Sequence, residues 1–184
     1  LTPSLAFQNI AREKYNGSKY IMIRPHARSF FYNTEHLTVM KESIKSAKNH
    51  GAEGVVFGAL NDGKIDFKIN EELLYTAHQL NLKCTFHKAI DSCNHVKQSL
   101  IELSEMGFDW VLTSGGKKNA ELGIKNLIEM SHIPNRKIKI LVGGGISPIN
   151  CQKFNNIGID GLHFSIDKNK IVEEKKIELI MEKI

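Results

Sequence analysis

The chain has 184 residues, 41% of them hydrophobic and 24% charged, which is the size and composition of one globular domain and excludes disordered, collagen-like and coiled-coil classes. The net charge is +5, but 25 basic residues are dispersed among 20 acidic ones, so no basic block marks a nucleic-acid partner. No apolar run approaches the ~18 residues of a membrane span, and the first residues carry no secretory signal, so a cytoplasmic address without membrane contact is expected.

Cys84, Cys93 and Cys151 are an odd number without CxxC spacing. This argues against a disulfide framework or zinc knuckle and fits a reducing compartment. The chain opens on Leu1 rather than Met, as a fragment or a processed product would.

In chain order, six short apolar or β-branched runs predict strands: Tyr20–Ile23, Gly54–Phe57, Leu82–Phe86, Trp110–Thr113, Ile138–Val142 and Gly161–Phe164. Their starts are 34, 28, 28, 28 and 23 residues apart, close to the ~30 residues of a strand-helix unit. Between them, Thr34 is placed as the N-cap of a helix carrying Leu37, Met40, Ile44 and Ala47, which ends at Gly51. Asn70 is placed as the cap of Glu71–Leu80, and Val96, Leu100, Leu103 and Met106 form a helix ending at Gly107. Asn119 caps the next segment, Ser147-Pro148 predicts a further helix start, and Ile171, Ile177 and Ile180 predict a terminal helix.

Alternating strands and helices require a parallel sheet with right-handed crossovers, either open and doubly wound or closed into a (β/α) barrel. The glycine loops, Gly115-Gly116 and Gly143-Gly144-Gly145, follow late strands, whereas a dinucleotide fold places a GxGxxG loop after its first strand. The expected fold is therefore an α/β TIM-type (β/α) barrel with six of the eight βα units present, as a single domain over residues 1–184. Its open edges are expected at Tyr20–Ile23 and Gly161–Phe164. Unpaired edges are a liability, so a homo-oligomer or an additional N-terminal segment is expected to cover them.

Barrels work at the C-terminal ends of their strands. The residues there are Arg24 and His26 after the first run, His87, Lys88 and Asp91 after the third, and Thr113 and Ser114 after the fourth. Gly143, Gly144 and Gly145 follow the fifth, and His163 and Ser165 end the sixth. Imidazoles titrate near working pH, so His87 and His163 are the candidate acid/base groups, with Asp91 either a third such group or a loop cap. Arg24 and Lys88 supply positive charge. Backbone amides of Gly143–Gly145, with Thr113, Ser114 and Ser165, are candidates for anion binding, helped by the helix expected near Pro148. Alternation places Thr85 and His87 on one strand face and Cys84 with Phe86 on the other, which precludes a local His–Cys chelate.

LTPS at Leu1–Ser4, MIRP at Met22–Pro25, GVVFGAL at Gly54–Leu60, TFHKAID at Thr85–Asp91, LTSGG at Leu112–Gly116, GGGI at Gly143–Ile146 and the late HFS occur in an order that resembles the CutC copper homeostasis family. The resemblance implies a TIM-type barrel, a cytoplasmic role in copper homeostasis and Cu(I) as cofactor or cargo. It also implies that this chain starts after the family's second strand, so that the cysteines proposed as Cu(I) ligands in animal members fall outside it. Arginine is the family's preference where Lys88 and His26 stand. No metal ligand is assigned among the three cysteines. Three functions stay open: Cu(I) binding, an enzyme acting on a small anionic or phosphorylated substrate and, as a minor third, a non-catalytic interaction domain.

Overall fold

The structure, a computed structural model, describes residues 1–165, 167–168, 171–172 and 174–184. Its main sheet comprises β1 (Tyr20–Met22), β2 (Gly54–Phe57), β5 (Lys83–Phe86), β6 (Trp110–Thr113), β7 (Lys139–Gly143) and β8 (Gly161–His163). Two-residue strands β3 (Leu60–Asn61) and β4 (Lys64–Ile65) form a hairpin, and β9 (Asp167–Lys168) pairs with β10 (Ile171–Val172). The helices are α1 (Leu5–Lys14), α2 (Thr34–Asn49), α3 (Phe67–Gln79), α4 (Val96–Met106), α5 (Ile124–Ser131) and α6 (Glu174–Met181).

Every main strand is parallel to its neighbour, and the order β1-β2-β5-β6-β7-β8 follows the chain without reversal. A doubly wound sheet reverses at its switch point, so this order is that of a barrel, here a curled six-stranded part of one whose edges are β1 and β8.

Alternation along the strands sorts the two faces. Val55 and Phe57, Cys84 and Phe86, Val111, and Ile140 and Val142 are buried against the helices. Met40 and Ile44 of α2, Leu73 of α3, Leu100 and Leu103 of α4, and Leu127 and Met130 of α5 meet them without exposure. Each such side chain contributes about 1.5–3 kcal/mol by leaving water. Met22, Val56, Thr85, Leu112 and Leu141 instead line an open cavity of about 430 Å³ on the inner face.

Several local expectations need correction. The N-cap of α2 is Asn33, not Thr34: Asn33 stays extended, and its side chain and that of His36 reciprocally accept each other's backbone N–H. Asp66, not Asn70, caps α3. Asn70 lies buried inside the helix, where its amide bonds to the N–H and C=O of Ala59. No α-helix starts at Pro148. Asn150 accepts from Ser147 N and donates to Gly145 O, drawing the segment into a tight turn and a short 3-10 helix (Cys151–Phe154). The glycine loop consequently has no α-helix dipole aimed at it. Ile171 belongs to β10, while Ile177 and Ile180 lie in α6 as expected. The β3–β4 hairpin was not anticipated, although Asp62-Gly63, both at positive φ, is the type of pair its tight turn requires.

Candidate functional site

Because the six strands are parallel, their C-terminal ends share one rim, and the loops leaving them bring the strand-end residues together. The hub of this rim is Asp91, in the 3-10 turn (Lys88–Ser92) that follows β5. Its carboxylate is only 10% exposed and accepts bonds from Thr113 Oγ1 (2.6 Å), the amides of Ser114 (3.0 Å) and Gly116 (2.8 Å), and Lys88 Nζ (2.6 Å). Asp91 thus binds the β5 turn to the β6 loop, and its oxygens are occupied by protein donors. Gly116 was not anticipated as part of the site; its amide participates through backbone geometry that residue type does not disclose.

Ser114 is buried and donates its hydroxyl to Lys117 O (2.6 Å), while its Oγ accepts from Lys88 Nζ (2.6 Å). Thr113 is buried and accepts from Gly115 N. Both hydroxyls are occupied in fixing the loop, so they position the site from beneath it. Lys88 has three N–H donors, of which Asp91 and Ser114 take two. Among the described residues the third remains free, beside Gly144, where an added methyl group would lie 3.3 Å from Nζ.

Gly144 (φ 107°) and Gly145 (φ 81°) turn the chain through conformations that side chains disfavour, and neither amide donates to an acceptor among the described residues. Gly143 has a packing role, because a Cβ there would meet Leu112 Cδ1 at 2.7 Å. It pairs in register with His163. The His163 imidazole pKa is lowered, chiefly by partial desolvation and secondarily by Lys88, so the neutral ring prevails at neutral pH. Ser165 lies just beyond β8, exposed, with its carbonyl accepting from Lys176 Nζ.

The other half of the rim is built on β1, β2 and β5. The guanidinium of Arg24 stands 4.6 Å from the centre of the Phe30 ring, and that ring lies 5.0 Å from the His87 ring. His87 is 3% exposed and is pushed down to a pKa of about 4 by burial and then by the charge of Arg24. His26 packs on Tyr32 and His36. The structure therefore divides the expected site residues between two neighbouring groups. Lys88, Asp91, Thr113, Ser114, Gly143–Gly145 and His163 form one, and Arg24 and His87 belong to the other.

The cysteines do not fit a Cu(I) centre. All three are buried and free, on β5, after the β5 turn and in the second 3-10 helix. Burial, followed by the charge of Asp109, pushes the Cys84 thiol up to about 12, which disfavours the thiolate a metal needs. Among the described residues no group of three His, Cys, Asp or Glu side chains could hold a metal ion.

The profile of the CutC family matches residues 1–168. A family protein CutC of Aliivibrio fischeri is 35% identical over 184 residues, which cover 99% of this chain and 73% of that protein. One from Vibrio cholerae serotype O1 is 37% identical over 167 residues, 90% of this chain and 66% of that one. The chain thus spans about two thirds to three quarters of these relatives. Among solved structures, CutC of Streptococcus agalactiae, named for copper homeostasis, superimposes with a TM-score of 0.81 at 29% identity over 88% of this chain and 80% of that one. The 3-hexulose-6-phosphate synthase of Salmonella typhimurium superimposes at 0.64 with 18% identity, over 97% and 80% of the two chains, a likeness of fold alone.

Proposed function

This chain belongs to the CutC family, whose name ties it to copper homeostasis, and from that premise we propose that it serves there as an enzyme acting on a small anionic substrate held at the strand-end rim. The observation that carries this reading is the remaining donor of Lys88 beside a glycine turn whose two amides lack acceptors among the described residues. An ammonium beside a glycine turn with free amides is a combination that suits a phosphate or carboxylate, while Asp91 and Ser114 hold the ammonium in place. His163, kept neutral by its surroundings and close enough to Lys88 to feel its charge, is the proton acceptor of the reaction. Three free thiols support a reducing, cytoplasmic setting, and no helix among the described residues is long and apolar enough to cross a membrane.

Calorimetric titration with inorganic phosphate tests the reading, alongside anaerobic titration with Cu(I) against a competing chelator. Phosphate is expected to bind, and Lys88→Gln to weaken it at least ~10-fold, the effect of losing about 1.4 kcal/mol. Circular dichroism checks that the variant folds. Absence of phosphate binding would overturn the reading, as would tight stoichiometric Cu(I) binding that Cys→Ser changes abolish.

A further inference from the structure

Buried polar atoms normally have partners, so those that lack them mark where something else binds. Among the described residues six buried side-chain atoms have none, and four belong to one patch: Arg24 Nε, His26 Nδ1, Tyr32 Oη and His87 Nε2. The patch lies where the β1–α2 loop folds over the ends of β2 and β5. Phe30 covers it, in contact with both Arg24 and His87, and its carbonyl is anchored by Leu60 N.

Three of these atoms are donors. Arg24 uses Nη2 on Ala27 O, leaving Nε–H unused. The amide of Ala89 donates to His87 Nδ1 (3.3 Å), so the neutral ring carries its hydrogen on Nε2. Tyr32, 3% exposed, has the Arg24 guanidinium close enough for its hydroxyl oxygen to accept from it, while its hydroxyl hydrogen has no acceptor among the described residues. Tyr32 and His87 are both more than nine-tenths buried. No carboxylate from any packed element meets these donors among the described residues.

We infer that this patch is a second acid-binding pole, and that the substrate is a small molecule with an oxyanion at one end, held by Lys88 and the glycine turn, and a carboxylate at the other, held by Arg24, Tyr32 and His87. A carboxylate suits the second pole because two planar oxygens offer about four lone-pair sites to three donors, and because a guanidinium matches planar acceptors. The poles adjoin through consecutive residues. His87 leans over the end of β2, where a Cβ on Gly58 would meet its ring at 2.9 Å, while Lys88 reaches the ends of β6 and β7. The inference rests on the anion site proposed above and extends it to the substrate's far end.

Affinities for inorganic phosphate, 2-phosphoglycolate, 3-phosphoglycerate and 6-phosphogluconate test it, because the acid separation increases along the series. One of the three carboxylates should bind at least ~10-fold tighter than phosphate. Tyr32→Phe and Arg24→Gln should each remove most of that gain while leaving phosphate affinity unchanged. Tyr32→Phe deletes a hydroxyl whose hydrogen has no acceptor among the described residues and keeps the ring, so the variant should fold, and circular dichroism separates loss of the gain from unfolding. If phosphate binds but no carboxylate gains, or the gain survives both variants, the second pole is refuted and the first stands. If phosphate fails and a carboxylate still binds through Arg24, the first pole is refuted and the second stands. No binding by any probe overturns both.

Discussion

A methyl group on Gly58 would stand 2.9 Å from Nδ1 of His87, closer than side chains pack, so the two residues are fitted to each other across the ends of β2 and β5. Gly58→Ala is expected to displace the His87 ring or Phe86, whose Cζ would be 2.8 Å away, and to destabilise the protein by about 1–3 kcal/mol. Urea unfolding reads this directly. An unchanged midpoint would mean that the rings yield freely.

The buried imidazole gives a pH signature. His87 titrates at about 4 in the folded chain, against an ordinary 6.5. Between those values the unfolded chain binds a proton that the folded chain refuses, so stability falls as pH drops through the window and levels off below it. The full loss is roughly 3 kcal/mol. His87→Gln should flatten that part of the stability profile; an unaltered slope would assign it to other groups.

Asp91→Ala should be severe. It leaves the amides of Ser114 and Gly116 and the Lys88 ammonium without their acceptor, and breaking such a shielded pair costs about 3–5 kcal/mol. Asp91→Asn retains one acceptor oxygen and should cost less. Equal midpoints for the parent and both variants in thermal unfolding would contradict the role of Asp91 as hub.

Thiol labelling by a disulfide reagent at pH 8 should be slow in the folded protein, because all three cysteines are buried and Cys84 is held protonated far above that pH. Adding urea should accelerate it sharply. Rapid labelling of one thiol in native buffer would place that cysteine at the surface.

The inner sheet face, lined by Met22, Val56, Leu112 and Leu141 and flanked by the free edges of β1 and β8, is apolar and open. Parallel sheets are ordinarily covered on both faces. The 184-residue chain by itself is expected to self-associate in sedimentation velocity and to bind a hydrophobic dye. Leu141→Glu should weaken both. A monomer with one steep unfolding transition and no dye binding would be the opposite result.

Strand positions, their parallel order and the barrel class were legible in the sequence because local pattern determines them. Two-residue alternation placed Cys84 and Phe86 under the helices, and near-constant spacing allowed no room for a different connection. Glycines at Gly51 and Gly107 stopped helices for a reason carried within a single residue, the left-handed conformation. What the tertiary structure decided depends on partners distant in the chain. Asn70 reads as a cap until Ala59 is folded against it, and Ser147-Pro148 reads as a helix start until Asn150 binds Gly145 O. Asp91 and Lys88 looked like chemical groups of equal standing. The fold encloses Asp91 in amides from the loop after β6 and leaves Lys88 one donor to offer. Tyr32 and Phe30 carried no signal at all, because a hydroxyl hydrogen without an acceptor exists only once burial has removed its water.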